Sequence, residues 1–71
     1  MKSKEQILSD FGKRLLKLRE AKKITQMDLA VKVDSYPNYI SKLENGKSEP
    51  GLVILKSLAA ALGVTVSDLT G

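Results

Sequence analysis

Cysteine and histidine are both absent from this chain of 71 residues. Without cysteine there are no disulfides and no thiolate metal sites, and the chain fits a cytoplasmic protein. Without histidine the chain lacks the commonest metal ligand and the side chain most used in acid–base catalysis. The sequence also has no glycine-rich phosphate loop and no convergent pair of carboxylates. We therefore expect no enzyme, no cofactor and no metal site.

Aromatic residues and long apolar runs are also scarce. Aromatics make up 4% of the chain, and no stretch alternates between apolar and polar residues as a half-buried strand does. The runs "LVIL" and "LAAALGV" are too short to span a bilayer, and "MKSKEQILSD" at the start is no signal peptide. The length favours one domain, residues 1–71. These features predict a soluble, all-α domain with no membrane partner.

The charge is modestly positive and unevenly placed. The net charge is +4, from 12 basic and 8 acidic residues. Residues 1–23 carry +5, residues 24–50 carry −1, and residues 51–71 are neutral. Such a balance favours a polyanionic partner, but a solvated basic face explains the same pattern.

Helix signals recur along the whole chain. Ser3, Thr25 and Thr65 are each followed three residues later by a residue that completes a capping box. Together with the apolar spacing, these caps predict five helices, over 4 to 21–23, 26–33, 37–45, 52–62 and 66–70. The residues expected to face one shared core are Ile7, Phe11, Leu15, Leu18, Leu29, Ala30, Val33, Tyr36, Ile40, Leu43, Leu55, Leu58, Ala59, Leu62 and Leu69. Gly12 interrupts the first helix but is expected to be tolerated there.

The stretch "YPNYISKLENG" carries the functional signal. Proline is favoured at the first position of a helix, and Gly46 is a typical helix end. A short helix at 26–33, a connector of about three residues and a second helix at 37–45 form a helix-turn-helix. In that motif the second helix enters the major groove of double-stranded DNA. Hydrogen-bond donors share its outer side: Asn38, Ser41, Lys42 and Asn45. An ordinary solvated face, with Asn45 as a turn signal, is the alternative.

The whole region resembles one known family. "FGKRLLKLRE" followed by "TQMDLAVKVDSYPNYISKLENGKSEPGLVILKSLAAALGVTVSDL" resembles the Cro and lambda-repressor-like helix-turn-helix family, also called the Xre family. The likeness covers about residues 11–69, and its most specific pieces are "LREAKKITQ", "YISKLENG" and "LAAALGV". It implies a compact five-helix DNA-binding domain and a transcriptional regulator, expected to be a repressor acting as a homodimer on a palindromic operator. A restriction–modification controller is a variant that the sequence does not separate from this regulator. The alternative is an antitoxin or partner-docking protein that also represses its own operon, with a toxin as a possible partner.

The resemblance also implies roles for individual residues by position. Base contacts are implied for Pro37, Asn38, Ser41 and Lys42. Phosphate contacts are implied for Thr25, Gln26, Tyr36, Tyr39, Asn45 and Lys47. Arg19 and Glu44 match a structural ion pair that joins the first helix to the third.

Four positions depart from the family pattern. Lys23 and Asp34 stand where glycine is usual, and aspartate is one of the residues that visits the left-handed region at modest cost. Tyr36 replaces a serine or threonine cap, and Pro37 replaces a polar side chain. We therefore expect fewer base contacts than usual, and modest affinity or a strong dependence on dimerisation. Three apolar residues are either scattered on the surface or part of a dimer contact: Leu16, Val53 and Ile54.

Overall fold

Five α-helices and no strands make up the chain in a computed structural model that describes every residue, Met1–Gly71. The helices are α1 (Lys4–Ala21), α2 (Gln26–Lys32), α3 (Pro37–Glu44), α4 (Leu52–Leu62) and α5 (Val66–Thr70). The predicted all-α, five-helix fold is confirmed, although α2 and α3 each end one residue earlier than expected. None of these helices combines the length and the apolar character that crossing a bilayer requires.

Side-chain caps start three of the helices, as the sequence predicts. The Ser3 hydroxyl accepts from the backbone N–H of Gln6 at 3.1 Å. Thr25 and Asp28 form a full capping box at the start of α2, and Thr65 and Asp68 form another at the start of α5. Each box satisfies two N–H groups that the helix itself leaves without partners. These three helix starts are therefore fixed largely by local sequence.

The capping boxes predict a stability loss in acid. The backbone N–H of each threonine, and then its hydroxyl, lower the pKa of Asp28 and of Asp68 below the ordinary value. A folded-state pKa below the unfolded one means that the carboxylate stabilises the fold above about pH 4. That contribution disappears as the pH falls through the lower, folded-state pKa. We expect the free energy of unfolding, measured by urea denaturation, to decrease steadily below about pH 4.

A double variant tests where this acid sensitivity resides. Asp28→Asn with Asp68→Asn should unfold with a shallower dependence on pH than the wild type, because two of the three carboxyl groups with a lowered pKa are gone, the third being Asp10 beside Lys2. Glu20→Gln is the matched control, since Glu20 is exposed and its side chain makes no hydrogen bond within the chain. If the free energy of unfolding of the double variant falls as steeply in acid as that of the wild type, other groups are responsible for the acid sensitivity.

Ten apolar side chains form a single core, drawn from all five helices. Their relative exposure is 4% or less, and they are Phe11, Leu15, Leu29, Ala30, Ile40, Leu43, Leu58, Ala59, Leu62 and Leu69. The half-buried Leu18, Val33 and Leu55 pack against them. The predicted core is confirmed at these thirteen positions.

Two predicted core residues are on the surface instead. Ile7 is 54% exposed and Tyr36 is 76% exposed, so both predictions were wrong. Ile7 lies one turn before Phe11, the first buried residue of α1. Tyr36 is the N-cap of α3 and has an extended backbone, with φ −125° and ψ 147°. Its side chain therefore does not continue the helical stripe formed by Ile40 and Leu43.

A glycine allows α1 to approach the end of α3 closely. Gly12 is buried, and a Cβ at this position would lie 2.6 Å from the carbonyl oxygen of Leu43 and closer still to that of Glu44. The backbones of the two helices are thus in direct contact at the last turn of α3. This contact sets where α3 lies relative to the rest of the domain.

Candidate nucleic-acid interface

The turn between α2 and α3 holds the two helices in a fixed arrangement. Asp34 has the left-handed backbone expected of it, with φ 55°, and Lys23 before α2 has φ 58°. The N–H of Asp34 donates to the Val31 carbonyl at 3.2 Å, and that of Ser35 donates to the Ala30 carbonyl at 2.8 Å. The end of α2 is therefore satisfied by the turn that leads into α3. A helix-turn-helix with a well-defined angle follows.

The side of α3 that faces away from the core carries polar groups. Asn38 and Lys42 are exposed, Ser41 is half-buried, and all three lie across the helix from the buried Ile40 and Leu43. The structure thus brings three of the four predicted base-contacting residues onto one open face. The fourth, Pro37, is half-buried at the first position of α3, where its missing N–H needs no partner.

The lysines near this face have no intramolecular partner. The three ion pairs of the chain join Lys2 to Asp10, Lys4 to Glu49, and Arg19 to Glu44. Lys42 on α3 and Lys47 just after it are in none of them, and both are exposed. Their charges are therefore available to an external anion.

The side chain of Asn45 bonds back to α3. Its amide Nδ2 donates to the Ser41 carbonyl oxygen at 2.9 Å and contacts the Ser41 hydroxyl oxygen at 3.4 Å. The exposed side chain therefore lies along the last turn of α3. Sequence spacing places the two residues one turn apart, but does not indicate that they bond to each other.

The other residues predicted to contact phosphate lie at the ends and the side of α3 and at the start of α2. Tyr36 and Lys47 are exposed at either end of the helix, and Tyr39 is half-buried along its side. Thr25 is exposed, but its hydroxyl already accepts the N–H of Asp28 at 3.0 Å. Gln26 is half-buried, and its Nε2 donates to Glu44 Oε1 at 2.9 Å. One amide hydrogen and the amide oxygen of Gln26 remain for other partners.

Glu44 is the centre of a buried polar cluster. Its carboxylate accepts from Arg19 Nε at 2.6 Å, from Arg19 Nη2 at 3.2 Å, and from Gln26. The side chain of Glu44 is 3% exposed and that of Arg19 is 11% exposed. Arg19 Nη1 also donates to the Ile24 carbonyl at 2.8 Å, and the hydrogen bond to Glu44 raises the pKa of Arg19. The cluster therefore ties α1 and the first residue of α2 to the end of α3. The predicted partners Arg19 and Glu44 are together; the participation of Gln26 was not predicted.

Exposed apolar side chains lie on α2 and α4, which are in contact with each other. Met27 and Val31, one turn apart on α2, are 57% and 71% exposed. Leu52 and Val53, at the start of α4, are 67% and 79% exposed. We call these four residues the apolar patch. Of the other two residues considered for a dimer contact, Leu16 is half-buried and Ile54 packs against the core.

The chain matches a family model described as helix-turn-helix, over residues 15–69. It is 42% identical over 60 residues to the control protein C.MunI of a Mycoplasma species, covering 83% of this chain and 81% of that protein. It is 35% identical over 60 residues to the immunity repressor protein of Bacillus phage phi105. That match covers 84% of this chain but only 42% of the longer repressor.

A solved structure has the same architecture throughout. The restriction-modification controller protein C.AhdI from Aeromonas hydrophila superposes with a TM-score of 0.90 at 32% sequence identity. The superposition covers 96% of this chain and 99% of C.AhdI. The clp gene regulator ClgR from Corynebacterium glutamicum superposes with a TM-score of 0.85 at 33% identity, over 89% of this chain and 67% of ClgR.

Proposed function

This chain belongs to the Xre-type helix-turn-helix family, and we propose on that basis that it represses transcription as a homodimer bound to a palindromic operator. The family consists of DNA-binding transcriptional regulators, not enzymes. The observation that carries the proposal is the open polar face of α3, held rigidly from behind by buried apolar residues. A helix presented in this way fits a major groove about 12 Å wide.

Base recognition is assigned to the open face of α3. Asn38 has an amide that pairs bidentately with adenine, and Lys42 has an unpaired ammonium that donates to guanine. Ser41 adds a hydroxyl between them. Pro37 opens the helix without a bulky polar side chain and so brings Asn38 close to its leading end.

Phosphate contacts are assigned to residues around that face. Lys47, Tyr36 and Tyr39 lie at the ends and side of α3, while Thr25 and Gln26 lie at the start of α2. Such contacts carry little sequence information but supply much of the affinity. The exposed carboxylate of Asp34 stands in the turn before α3 and opposes them, so modest affinity per subunit is expected.

Dimerisation is assigned to the apolar patch. A single domain of this size covers too little surface for tight specific binding, whereas two copies would bind half-sites about one helical turn apart. The patch offers four apolar side chains that are more than half exposed, on two helices that contact each other. Their burial between two copies removes apolar surface from water, which favours association.

Among the variants of the proposed regulator, the comparisons favour one that regulates a restriction–modification system. C.MunI and C.AhdI are described as control and controller proteins, and this chain covers 81% and 99% of their lengths. Their near-equal size contrasts with the longer phage repressor. The antitoxin or partner-docking alternative, with a toxin as a possible partner, draws no support from C.MunI or C.AhdI.

Selection from random DNA duplexes tests the proposal and its site. We expect one palindromic site to be enriched. We also expect the free protein to have the mass of a dimer in solution. Asn38→Ala or Lys42→Ala should each cost about 1–3 kcal/mol of binding free energy, confined to one base step. Lys47→Ala should weaken binding to all duplexes alike. It should also reduce the slope of the logarithm of the binding constant against the logarithm of salt concentration by about one.

Lys13→Ala on α1 is the matched control, because Lys13 is exposed, is in no ion pair and belongs neither to the proposed DNA contacts nor to the apolar patch. Its binding should equal that of the wild type. If Asn38→Ala and Lys42→Ala both leave the base preference unchanged, the assignment of α3 as the recognition helix is wrong.

A further inference from the structure

The contact between Asn45 and Ser41 bears on what Ser41 can recognise. The atom of Asn45 that lies 2.9 Å from the Ser41 carbonyl oxygen must be Nδ2, because a carbonyl oxygen only accepts hydrogen bonds. The same Nδ2 lies 3.4 Å from Ser41 Oγ. Since Nδ2 only donates, Ser41 Oγ is the acceptor in this contact.

The hydroxyl hydrogen of Ser41 is then left without an acceptor in the chain. Helical serine and threonine often donate to the carbonyl one turn earlier, as Thr70 does to Val66 at 3.1 Å. Ser41 makes no such bond to Pro37, and the only hydrogen bond of its hydroxyl is the one from Asn45. Its O–H is therefore free to point away from the helix.

We propose that Asn45 occupies one of the two lone pairs of Ser41 Oγ and so favours Ser41 as a hydrogen-bond donor towards DNA, where it recognises an acceptor on a base edge. This inference rests on the proposed function. The acceptors in the major groove are guanine O6 and N7, adenine N7 and thymine O4, whereas cytosine offers only its N4 donor. Ser41 thus discriminates against cytosine at the position it contacts.

Asn45 is then a positioning residue that acts through Ser41. Its Nδ2 is held against Ser41, and its backbone N–H is occupied, since it donates to the Ser41 carbonyl at 3.0 Å. For the phosphate contact that the resemblance implies, Asn45 has the second hydrogen of Nδ2 left.

Replacing Asn45 by aspartate should change Ser41 from a hydrogen-bond donor to an acceptor towards the DNA. A carboxylate only accepts, so it cannot keep the 2.9 Å contact with the Ser41 carbonyl oxygen and would turn towards the hydroxyl. Ser41 would then donate its hydrogen to the carboxylate and present lone pairs to the DNA. The preference at that base step should then move from an acceptor to a donor, cytosine N4 or adenine N6. The added negative charge weakens binding to every duplex alike, so the measurement is the ratio of Kd values among four duplexes that differ at this single step.

Three variants of the full chain complete the experiment, each checked for folding by thermal melting. Ser41→Ala identifies the base step that Ser41 contacts. At that step the preference of the wild type for one base pair should drop about 3- to 10-fold. Asn45→Ala, which frees the hydroxyl without reversing it, should reduce the same preference by a smaller factor. Asn45→Asp should change which base pair is preferred there.

The outcomes separate this inference from the proposed function. If the wild type selects a site and Lys42→Ala alters it, but both Asn45 variants keep the wild-type preference at the Ser41 step, only the role of Asn45 is overturned. The proposed role of Asn45 is also overturned if Ser41→Ala changes the preference at no step. If the wild type selects no duplex at all, the proposed function itself fails.

Discussion

Replacing Glu44 by alanine is expected to lower the free energy of unfolding by about 3 kcal/mol, a large part of the total for a domain this small. The Glu44 side chain is 3% exposed and accepts hydrogen bonds from both Arg19 and Gln26. Without it, the Arg19 guanidinium stays largely buried with the Ile24 carbonyl as its one remaining partner. A buried charge that has lost its counter-ion costs far more than the net contribution of the pair. Urea denaturation measures the loss.

Two controls distinguish this effect from the simple removal of a carboxylate. Glu49→Ala breaks the exposed pair with Lys4, whose side chains are 66% and 72% exposed, and should cost under about 1 kcal/mol. The double variant Arg19→Met with Glu44→Leu removes both charges and fills the space with apolar groups, so it should recover much of the loss. Equal costs for Glu44→Ala and Glu49→Ala would contradict a buried, mutually dependent pair.

Most of the fold could be predicted from the sequence because its helix signals are local. Ser3, Thr25 and Thr65 each act on a backbone N–H only three residues away, so a short window of sequence is enough to place the helix start. The apolar stripe also predicts most of the core, but it fails at Ile7, which lies within α1 one turn before the first buried residue. It fails again at Tyr36, an N-cap that does not have helical backbone angles.

The site could be predicted less completely because its details depend on contacts between helices and on rotamers. Gln26 was expected to hold a phosphate, but its amide reaches Glu44, which is 18 residues away in sequence. The bond from Asn45 to Ser41 depends on side-chain torsions that spacing does not determine. The positions of these residues follow from the sequence, whereas the hydrogen bonds that limit their roles require the three-dimensional structure.

Gly12 shows the same limit for the backbone. By sequence it is a helix-weakening residue that α1 tolerates, since glycine within a helix costs up to about 1 kcal/mol relative to alanine. Alanine should therefore stabilise α1 taken by itself. In the folded chain the added Cβ would meet backbone atoms, the carbonyl oxygens of Leu43 and Glu44. Because these atoms cannot rotate aside as a side chain can, the tertiary contact and the helix propensity make opposite predictions.

We expect the tertiary contact to dominate, so that Gly12→Ala lowers the free energy of unfolding by about 3 kcal/mol. To admit the methyl group, α1 and α3 must separate, which loosens the packing of Phe11 and Leu15 and stretches the pair between Arg19 and Glu44. Thermal or urea denaturation gives the loss directly. Binding to the selected duplex should weaken as well, because the contact at Gly12 sets the position of α3.

Gly51→Ala adds the same methyl group where no other atom lies within 4 Å. Since Gly51 is the N-cap of α4 and its backbone has φ −72°, alanine is sterically allowed there and should cost under about 1 kcal/mol. The difference between the two variants therefore isolates the close approach of α1 to α3. A Gly12→Ala protein as stable as wild type would mean that the two helices separate at little cost, and the rigid support inferred for the recognition helix could not then rest on this contact.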